Sequence, residues 1–256
     1  MATSKGGHSV KLSIVTPVYH EQDNIVRVID GIRGAVKTPY EFLIVYDAKD
    51  DPTYEVVKKY IAKHKLQNVK LVQSSVGTGR GFLNALRTGF VTATGDAVIV
   101  MMADLCDDPQ DIDTMYKLFT DGADLVCASR YMKGGRQIGS PLLKRTLSRW
   151  AGVSLYHLRR LPIHDATNNF KLYSHKLLQN VTIEGDGGFE IALQITAKAH
   201  QRGYTLRELP TTWRDREAGE AKFNLKKMLP RYLKWYMYAF TAGKQSSRTR
   251  SDLGKD

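Results

Sequence analysis

Residues 96–109 read Asp-Ala-Val-Ile-Val-Met-Met-Ala-Asp-Leu-Cys-Asp-Asp-Pro and contain the longest purely apolar run of the chain, residues 97–103. This run is far shorter than the roughly 20 residues that a membrane-spanning helix needs, and a short apolar run between polar residues is typical of a buried strand. Asp108 and Pro109 predict the start of a helix after it. The stretch therefore predicts a strand followed by a helix, with Asp104 just beyond the strand.

The same alternation of strand and helix runs through the first half of the chain. Apolar runs predict strands at residues 12–16, 41–46, 69–73, 97–103 and 124–128. Helices are predicted between them, including one that begins at Pro52 after the capping residue Asp51. This order predicts a mainly parallel sheet with helices on both faces, in which ligands bind beyond the carboxyl ends of the strands. The segments at those ends are residues 17–21, 47–53, 104–108 and 129–131.

The second half of the chain is less regular. We predict a loop at residues 132–140, a strand at residues 204–213, and helices at residues 142–160 and 189–200. Residues 223–240 are assigned to amphipathic, interfacial helices interrupted by Pro230. Their apolar stripe contains Met228, Leu229, Tyr232, Leu233 and Tyr236, and the opposite side carries Lys227, Arg231 and Lys234. Such a stripe packs on the domain, lies at a membrane interface, or does both.

Positive charge is concentrated at the C-terminal end. The 256 residues carry a formal net charge of +12, and from residue 222 onward nine Lys and Arg face two acids. A basic end on a nearly balanced body predicts an anionic partner, either a membrane or a nucleic acid. The chain's two cysteines are too few for a disulfide framework or a structural zinc site. No targeting or membrane-spanning segment is visible, and we predict disorder for residues 1–10 and for the basic tail, residues 241–256.

Acidic residues stand at two predicted strand ends, Asp47 and Asp104. A carboxylate there accepts hydrogen bonds from a nucleobase or ribose, or holds a divalent metal on a diphosphate. Each alone also fits an ordinary loop or helix cap, but two on one sheet favour a nucleotide site. The glycine-rich turn 77–81 follows the third strand and does not match the dinucleotide-binding pattern. It predicts a tight turn or a close backbone approach to a ligand.

Eight short blocks follow one another between residues 12 and 222. They are Val15-Thr-Pro-Val-Tyr-His-Glu21; Asp47-Ala-Lys-Asp-Asp51-Pro-Thr53; the set Gly81, Asn84, Ala85 and Gly89; Met102-Ala-Asp104 with Asp107-Asp108-Pro109; Ala128-Ser-Arg130-Tyr131; Arg145-x-x-Ser148; Asp165-Ala-Thr-Asn-Asn-Phe170; and Asp215-Arg216-x-x-Gly219-x-x-Lys222. Together, in this order, they resemble the family 2 glycosyltransferases, and among these the dolichol-phosphate mannosyltransferase-like, polyprenyl-phosphate glycosyltransferase group.

The resemblance implies a GT-A fold over residues 11–222 and inverting transfer of a sugar from a nucleotide-sugar to a polyprenyl phosphate. It assigns donor binding to Pro17, Tyr19, Glu21, Asp47, Gly81 and Asp104. It assigns acceptor binding to Arg130, Arg145, Ser148, Arg216 and Lys222, and catalysis to Asp104, Arg130 and Arg216. An acceptor that is already an anion needs no strong general base, but it needs cations to position it beside the donor diphosphate.

The expected metal site departs from the pattern of the family. Met102 stands where the family has the first aspartate of its D-A-D element, so one carboxylate is replaced. Asp104 then binds Mg²⁺ or Mn²⁺ together with Asp107, Asp108 and the donor phosphates. In the alternative, Lys49 or an arginine replaces part of the charge of the metal.

Three other functions are compatible with the sequence. A family 2 transferase with a hydroxyl acceptor would need a carboxylate base, for which Asp165, Glu190 and Asp215 are candidates. The net charge and the aromatic residues between cations near the C-terminus suggest nucleic-acid binding, which the acidic strand ends disfavour. Met102 suggests a catalytically silent sugar-nucleotide-binding subunit. The leading expectation is an enzyme attached peripherally to the cytoplasmic face of an anionic membrane, with a membrane-spanning subunit as a further candidate partner.

Overall fold

The computed structural model describes residues 11–77, 81–185, 188–215 and 225–241. In chain order, its elements are β1 (Leu12–Val18), α1 (Ile25–Ala35), β2 (Tyr40–Tyr46), α2 (Pro52–His64), β3 (Val69–Gln73), α3 (Phe82–Thr92), β4 (Ala97–Val100), α4 (Asp111–Thr120), β5 (Leu125–Ser129), β6 (Arg136–Ile138), α5 (Leu142–Arg159), β7 (Lys171–Ser174), α6 (His175–Asn180), α7 (Ile191–Gln201), β8 (Leu206–Pro210), β9 (Thr212–Arg214) and α8 (Leu225–Thr241).

Seven of the strands form one sheet in the order β3-β2-β1-β4-β7-β5-β8. The neighbours β3, β2, β1 and β4 run parallel, as do β5 and β8, while β7 lies antiparallel between β4 and β5. The predicted α/β class and mainly parallel sheet are confirmed. The antiparallel strand β7 was not predicted, because Lys-Leu-Tyr-Ser is short and begins with a charged residue.

Apolar side chains leave both faces of the sheet and build two cores. Along β2, Leu43 and Val45 enter one core, where they pack with residues of α3, α7 and α8. Phe42 and Ile44 point to the opposite core, which contains the buried faces of α1 and α4. A strand covered on both faces is apolar without alternation, which explains the continuous apolar runs in the sequence and confirms helices on both faces.

The strand β4 is shorter than its apolar run. It ends at Val100, where pairing with Val15 of β1 and Lys171 of β7 also ends. The Met101 N–H still donates to the Val15 carbonyl over 3.1 Å. The prediction of a strand to residue 103 was therefore wrong, because hydrophobicity continues where the pairing partners stop. Asp104 lies on the loop beyond the sheet instead of directly at the strand end.

The predicted strand at residues 204–213 is two strands, β8 and β9. Pro210 has no N–H to donate and ends the pairing of β8 with β5. After it, β9 pairs in parallel with β6, a short strand within the segment predicted as a loop. The single-strand prediction was therefore wrong, and the turn at Thr211 connects the main sheet to a second, two-stranded sheet.

The C-terminal segment forms one helix, α8, with Pro230 inside it. The predicted interruption at Pro230 was wrong. Met228 and Trp235 are buried against the domain, and this packing holds the helix although proline removes one backbone hydrogen bond. The predicted stripe is therefore only partly a packing face, since Trp235 lies outside it.

Among the described residues, no helix combines the length and the hydropathy needed to cross a bilayer. Residues 1–10 lie outside the described part of the chain, as do residues 242–256. The predicted disorder of these ends stays a prediction, except that Thr241 is the last residue of α8. The domain boundaries at residues 11–222 and 223–240 also stay predictions.

Candidate active site

A cavity of about 930 Å³ opens beyond the carboxyl ends of the parallel strands. One wall consists of the loops after β1, β2, β4 and β5, which place Tyr19, Asp47, Asp104 and Arg130 around it. The opposite wall comes from α5 and α8. A cavity at this edge is where open α/β sheets bind ligands.

The residues predicted for the donor come together in this cavity. Six of them line it: Pro17, Tyr19, Glu21, Asp47, Gly81 and Asp104. Of the predicted acceptor residues, Arg130 and Ser148 line the same cavity, whereas Arg145 lies on the exposed surface of α5 beside Arg149. Arg216 and Lys222 lie outside the described residues. The roles assigned to all of these residues remain predictions.

Asp51 fixes the loop that carries Tyr19 and Glu21. Its carboxylate accepts the Thr53 N–H over 2.8 Å, which caps α2 as predicted, and the His20 N–H over 2.9 Å. Burial alone would raise the pKa of Asp51, but these hydrogen bonds outweigh it and hold the pKa below its usual value. Glu21 is held in addition by its own N–H, which donates to the Thr53 hydroxyl over 2.9 Å. The loop after β1 is thus held to the start of α2 by several hydrogen bonds.

Asp47 lines the cavity, and within the described part of the chain one of its two carboxylate oxygens lacks a hydrogen-bond partner. Its Oδ2 accepts the Gly81 N–H over 2.8 Å, whereas Oδ1 is buried and has no hydrogen-bond partner among the described residues. A buried acceptor without a partner costs about 1–3 kcal/mol, and a ligand N–H or O–H would offset that cost. Gly81 has a φ of 134°, a left-handed conformation that favours glycine.

Asp104 and Asp107 form an acidic pair on the loop after β4. Leu105 between them has a φ of 61°, a sparsely populated conformation for leucine, and the Asp104 carboxylate accepts the Cys106 N–H over 3.2 Å. Burial, together with the nearby Asp104 charge, raises the pKa of Asp107 to about 8. Both residues line the cavity, so this loop places two neighbouring carboxyl groups in the cavity wall, one of them buried.

The donor set of this corner suits a divalent metal that also binds phosphate. No group of three or more His, Cys, Asp or Glu within the described ranges is placed to hold a metal by itself. Two carboxylates plus substrate phosphates is, however, the usual ligation of Mg²⁺. The Met102 thioether in the cavity wall is a soft donor unsuited to Mg²⁺. The residues therefore fit a divalent metal that takes its remaining ligands from a bound phosphate.

Arg130 is bound by Asp165 in a bidentate ion pair. Its Nε donates to Oδ2 over 2.6 Å and its Nη2 donates to Oδ1 over 2.9 Å, while its backbone N–H reaches Oδ2 over 3.1 Å. Asp165 is fully buried and the Arg130 side chain is 11% exposed. Burial would raise the pKa of Asp165, but the Arg130 charge and hydrogen bonds lower it. Of the three guanidinium nitrogens, only Nη1 makes no contact with Asp165.

Ser148 connects α5 to the loop after β5. Its hydroxyl and the Tyr131 hydroxyl share a short hydrogen bond, and the Tyr131 hydroxyl also donates to the Gln137 side chain over 3.0 Å. Burial raises the pKa of Tyr131, so this hydroxyl keeps its proton. The linkage holds α5 over Arg130, whose guanidinium lies 5.0 Å from the centre of the Tyr131 ring.

The wall formed by α5 and α8 is mostly apolar. A hydrogen bond of 2.9 Å between the hydroxyls of Ser154 and Tyr236 connects the two helices. The side chains that line the cavity here include Leu147, Trp150, Leu229, Tyr232 and Leu233. Periodicity predicted both helices, but nothing in the sequence paired them or placed their apolar side chains at a cavity mouth.

Two further parts of the site were missed. Phe82 and Phe189 stack with ring centres 4.6 Å apart and line the cavity, although they are 107 positions apart in the chain. The sequence analysis proposes Asp165 as a base for a hydroxyl acceptor, whereas in the structure Asp165 forms an ion pair with Arg130. A buried carboxylate whose pKa is lowered is a poor proton acceptor near neutral pH. The sequence did draw attention to Asp165 through the block 165–170, but it did not reveal that Arg130 is its partner.

Several known proteins are similar to this chain. Residues 13–182 match the family model described as Glycosyl transferase family 2. The dolichol-phosphate mannosyltransferase of Pyrococcus furiosus is 27% identical over an alignment of 237 residues that covers 88% of this chain and 64% of that protein. The polyprenol monophosphomannose synthase of Mycolicibacterium smegmatis is 25% identical over an alignment of 229 residues that covers 87% of this chain and 85% of that protein. The chain thus spans less than two thirds of the Pyrococcus relative.

Solved structures with the same fold include glucosyl-3-phosphoglycerate synthase from Mycobacterium tuberculosis. Its complex with Mn²⁺, UDP and phosphoglyceric acid has a TM-score of 0.66 at 16% identity, covering 91% of this chain and 78% of that one. Its complex with Mg²⁺ and UDP has a TM-score of 0.65 at 17% identity, covering 91% and 79%. At this identity the likeness concerns the fold, and it confirms the predicted GT-A-type architecture.

Proposed function

The chain belongs to glycosyl transferase family 2, and from that membership we propose that it transfers a sugar from a nucleotide-sugar donor to a polyprenyl phosphate at a membrane surface. Membership confirms the resemblance seen in the sequence and the expected enzyme class, a glycosyltransferase. The observation that carries the finer proposal is the two-sided cavity, which has carboxylates on the loops that follow the strands and an apolar, partly exposed rim on α5 and α8.

The donor side supports a nucleotide-sugar. The unpartnered Asp47 Oδ1 accepts a nucleobase N–H or a ribose O–H, next to Tyr19 and Glu21 in the same wall. Asp104 and Asp107 would hold Mg²⁺ or Mn²⁺ against the diphosphate, and such a metal stabilises the negative charge of the leaving group. The relatives are named for mannose transfer, so a mannosyl donor is the first to test.

The acceptor side supports a phosphate. A phosphate oxygen is already anionic at neutral pH, so it attacks the anomeric carbon, and the bond to the nucleoside diphosphate breaks, without a base. Arg130 lies in the wall where that oxygen would approach. A hydroxyl acceptor would need a base, and of the three candidate carboxylates Asp165 is committed to Arg130. Of the other two, Asp215 lines the cavity and Glu190 does not, so Asp215 is the candidate base for that alternative.

The rim of the cavity supports attachment to a membrane. On α5, Leu142, Leu143 and Trp150 are exposed together with Arg145 and Arg149. On α8, Leu229, Leu233 and Met237 are exposed beside Lys234. Apolar side chains interleaved with cations suit the interface of an anionic bilayer. Peripheral attachment, at the cytoplasmic face, would bring the lipid phosphate to the cavity mouth.

The function is tested by turnover with defined substrates. The full chain is incubated with nucleotide-mannose, nucleotide-glucose and related donors, with Mg²⁺ or Mn²⁺, and with either a polyprenyl phosphate or the corresponding polyprenol. We expect transfer to the phosphate and none to the alcohol, because only the phosphate is a nucleophile without a base. Transfer to simple saccharide hydroxyls in place of polyprenyl phosphate would contradict the proposal and favour the hydroxyl alternative.

Membrane attachment is tested by sedimentation with anionic vesicles. The double variant Leu142→Ser/Leu143→Ser removes two apolar side chains that are 78% and 64% exposed. We expect vesicle binding to fall about tenfold for each leucine, since burying a leucine stabilises by about 1.5–3 kcal/mol, and to weaken further at high salt.

Val91→Ser is the matched control for this experiment. Val91 is 74% exposed but lies on α3 and is not among the residues that line the cavity, and its replacement should leave vesicle binding unchanged. If the wild-type chain does not sediment with anionic vesicles at low salt, it does not attach by itself. A membrane-spanning partner subunit would then be required.

A further inference from the structure

Lys171 is a fully buried cation beneath the cavity. It begins β7 in the middle of the sheet, opposite Val100 of β4 and Cys127 of β5. Its Nζ donates to the backbone carbonyls of Asp165 over 3.4 Å, Ala166 over 3.2 Å and, in a short contact, Asn168. Burial lowers the pKa of Lys171. Burying a lysine here costs free energy of folding. The hydrogen bonds that offset this cost all go to the backbone of one segment, residues 165–168.

The hydrogen bonds of Lys171 determine where the next amides point. In a trans peptide the carbonyl and the following N–H point in opposite directions, and the described peptides are trans. Since the Ala166 and Asn168 carbonyls face the ammonium, the N–H groups of Thr167 and Asn169 face away from it. Both residues line the cavity, whereas Lys171 is sealed from solvent on the other side of the segment.

The two amides lie beside Arg130. The Arg130 Nη2 donates to the Thr167 hydroxyl over 3.3 Å, so the segment and the guanidinium share one corner of the cavity. Neither the Thr167 N–H nor the Asn169 N–H has a hydrogen-bond partner within the described residues. The Asn168 side chain is anchored to the Ala128 carbonyl over 2.7 Å, which keeps the segment against β5.

We propose that Lys171 is a positioning residue that turns the amides of Thr167 and Asn169 into the cavity, where together with Arg130 they bind the phosphate of the acceptor. Backbone N–H groups and a guanidinium are strong donors to phosphate oxygens. The buried ammonium of Lys171 adds positive potential behind the amides. Asp165 carries one negative charge, which balances only one of its two cationic neighbours, Arg130 and Lys171. The identity of the anion rests on the proposed function, whereas the anion site itself does not.

The first test uses the wild-type chain labelled with ¹⁵N and titrated with inorganic phosphate at constant ionic strength. The Thr167 and Asn169 amide proton resonances should move downfield and saturate together, while the amide of Gly122, on the turn after α4, should not move. If both amide resonances stay in place at phosphate concentrations that saturate the shifts of other resonances, the inference is overturned. This measurement needs no variant.

The second test compares Lys171→Met with Lys198→Met. Lys198 is also buried, and it donates to the Thr182 carbonyl over 2.6 Å and to Glu184 over 2.5 Å, outside the cavity wall. Both variants lose a buried cation, so both lose stability. Only Lys171→Met should raise the KM for polyprenyl phosphate, by tenfold or more, with the nucleoside diphosphate Kd within twofold of wild type. Lys171→Arg should recover part of the loss.

Equal acceptor KM values in the two methionine variants would overturn the positioning role. A wild-type enzyme that ignores polyprenyl phosphate, but whose Thr167 and Asn169 amides respond to inorganic phosphate, would refute the proposed acceptor and support the anion site. The reverse pattern, with turnover on polyprenyl phosphate but silent amides, would keep the function and overturn the inference.

Discussion

Replacing Asp104 by asparagine is expected to lower kcat/KM for the nucleotide-sugar at least 100-fold. Asparagine keeps the shape of the side chain and can still accept the Cys106 N–H, but it removes the negative charge that would hold a metal on the donor diphosphate. Losing one electrostatic contact to developing charge typically costs roughly 10²–10³ in rate. The measurement is initial velocity at several donor and Mn²⁺ concentrations.

The control for this variant is Asp121→Asn, which removes a carboxylate at the C-terminal end of α4, away from the cavity. It should keep wild-type kinetics. The companion variant Met102→Asp places a carboxylate where a thioether lies in the cavity wall, and it should lower the Mn²⁺ concentration needed for half-maximal activity. Turnover of Asp104→Asn within a few-fold of wild type would remove Asp104 from the catalytic site.

The residues predicted for the donor lie together in the structure because their placement depends on local rules. Short continuous apolar runs located the strands, and residues that follow parallel strands meet at one edge of the sheet. Pro17, Asp47 and Asp104 therefore needed no long-range information to be placed together. The predicted end of β4 lies three residues beyond the observed end, because hydrophobicity does not report where pairing with β1 and β7 stops.

The acceptor side was less predictable because it depends on pairs that are distant in sequence. Arg130 and Asp165 are 35 residues apart, and the lysine beneath them lies on an antiparallel strand that the pattern did not indicate. Arg145 shows the limit of a motif carried over by position. It is on the same helix as Ser148, but only Ser148 faces the cavity, while Arg145 is on the exposed side.

Breaking the Arg130–Asp165 pair with Asp165→Asn should cost about 3–5 kcal/mol, because it leaves a buried guanidinium without its counter-charge. For a chain of this length that corresponds to a fall of roughly 10 °C in Tm, measured by thermal unfolding at pH 7. Activity should fall as well, since Arg130 loses the partner that sets its orientation. Glu55→Gln is the control, because the Glu55–Lys58 pair is exposed and spans 3.8 Å, and such pairs contribute about 1 kcal/mol or less.

The pH dependence separates this ion pair from a simple packing defect. The folded-state pKa of Asp165 is lowered, so the pair contributes stability that is fully present above the unfolded-state pKa of about 3.9. That contribution disappears as the pH falls through the lower folded-state pKa. The Tm difference between wild type and Asp165→Asn should therefore be constant from pH 8 to pH 5 and shrink below about pH 4. A difference that persists unchanged at pH 3 would mean that the asparagine disturbs packing and that the charge of Asp165 does not stabilise the fold.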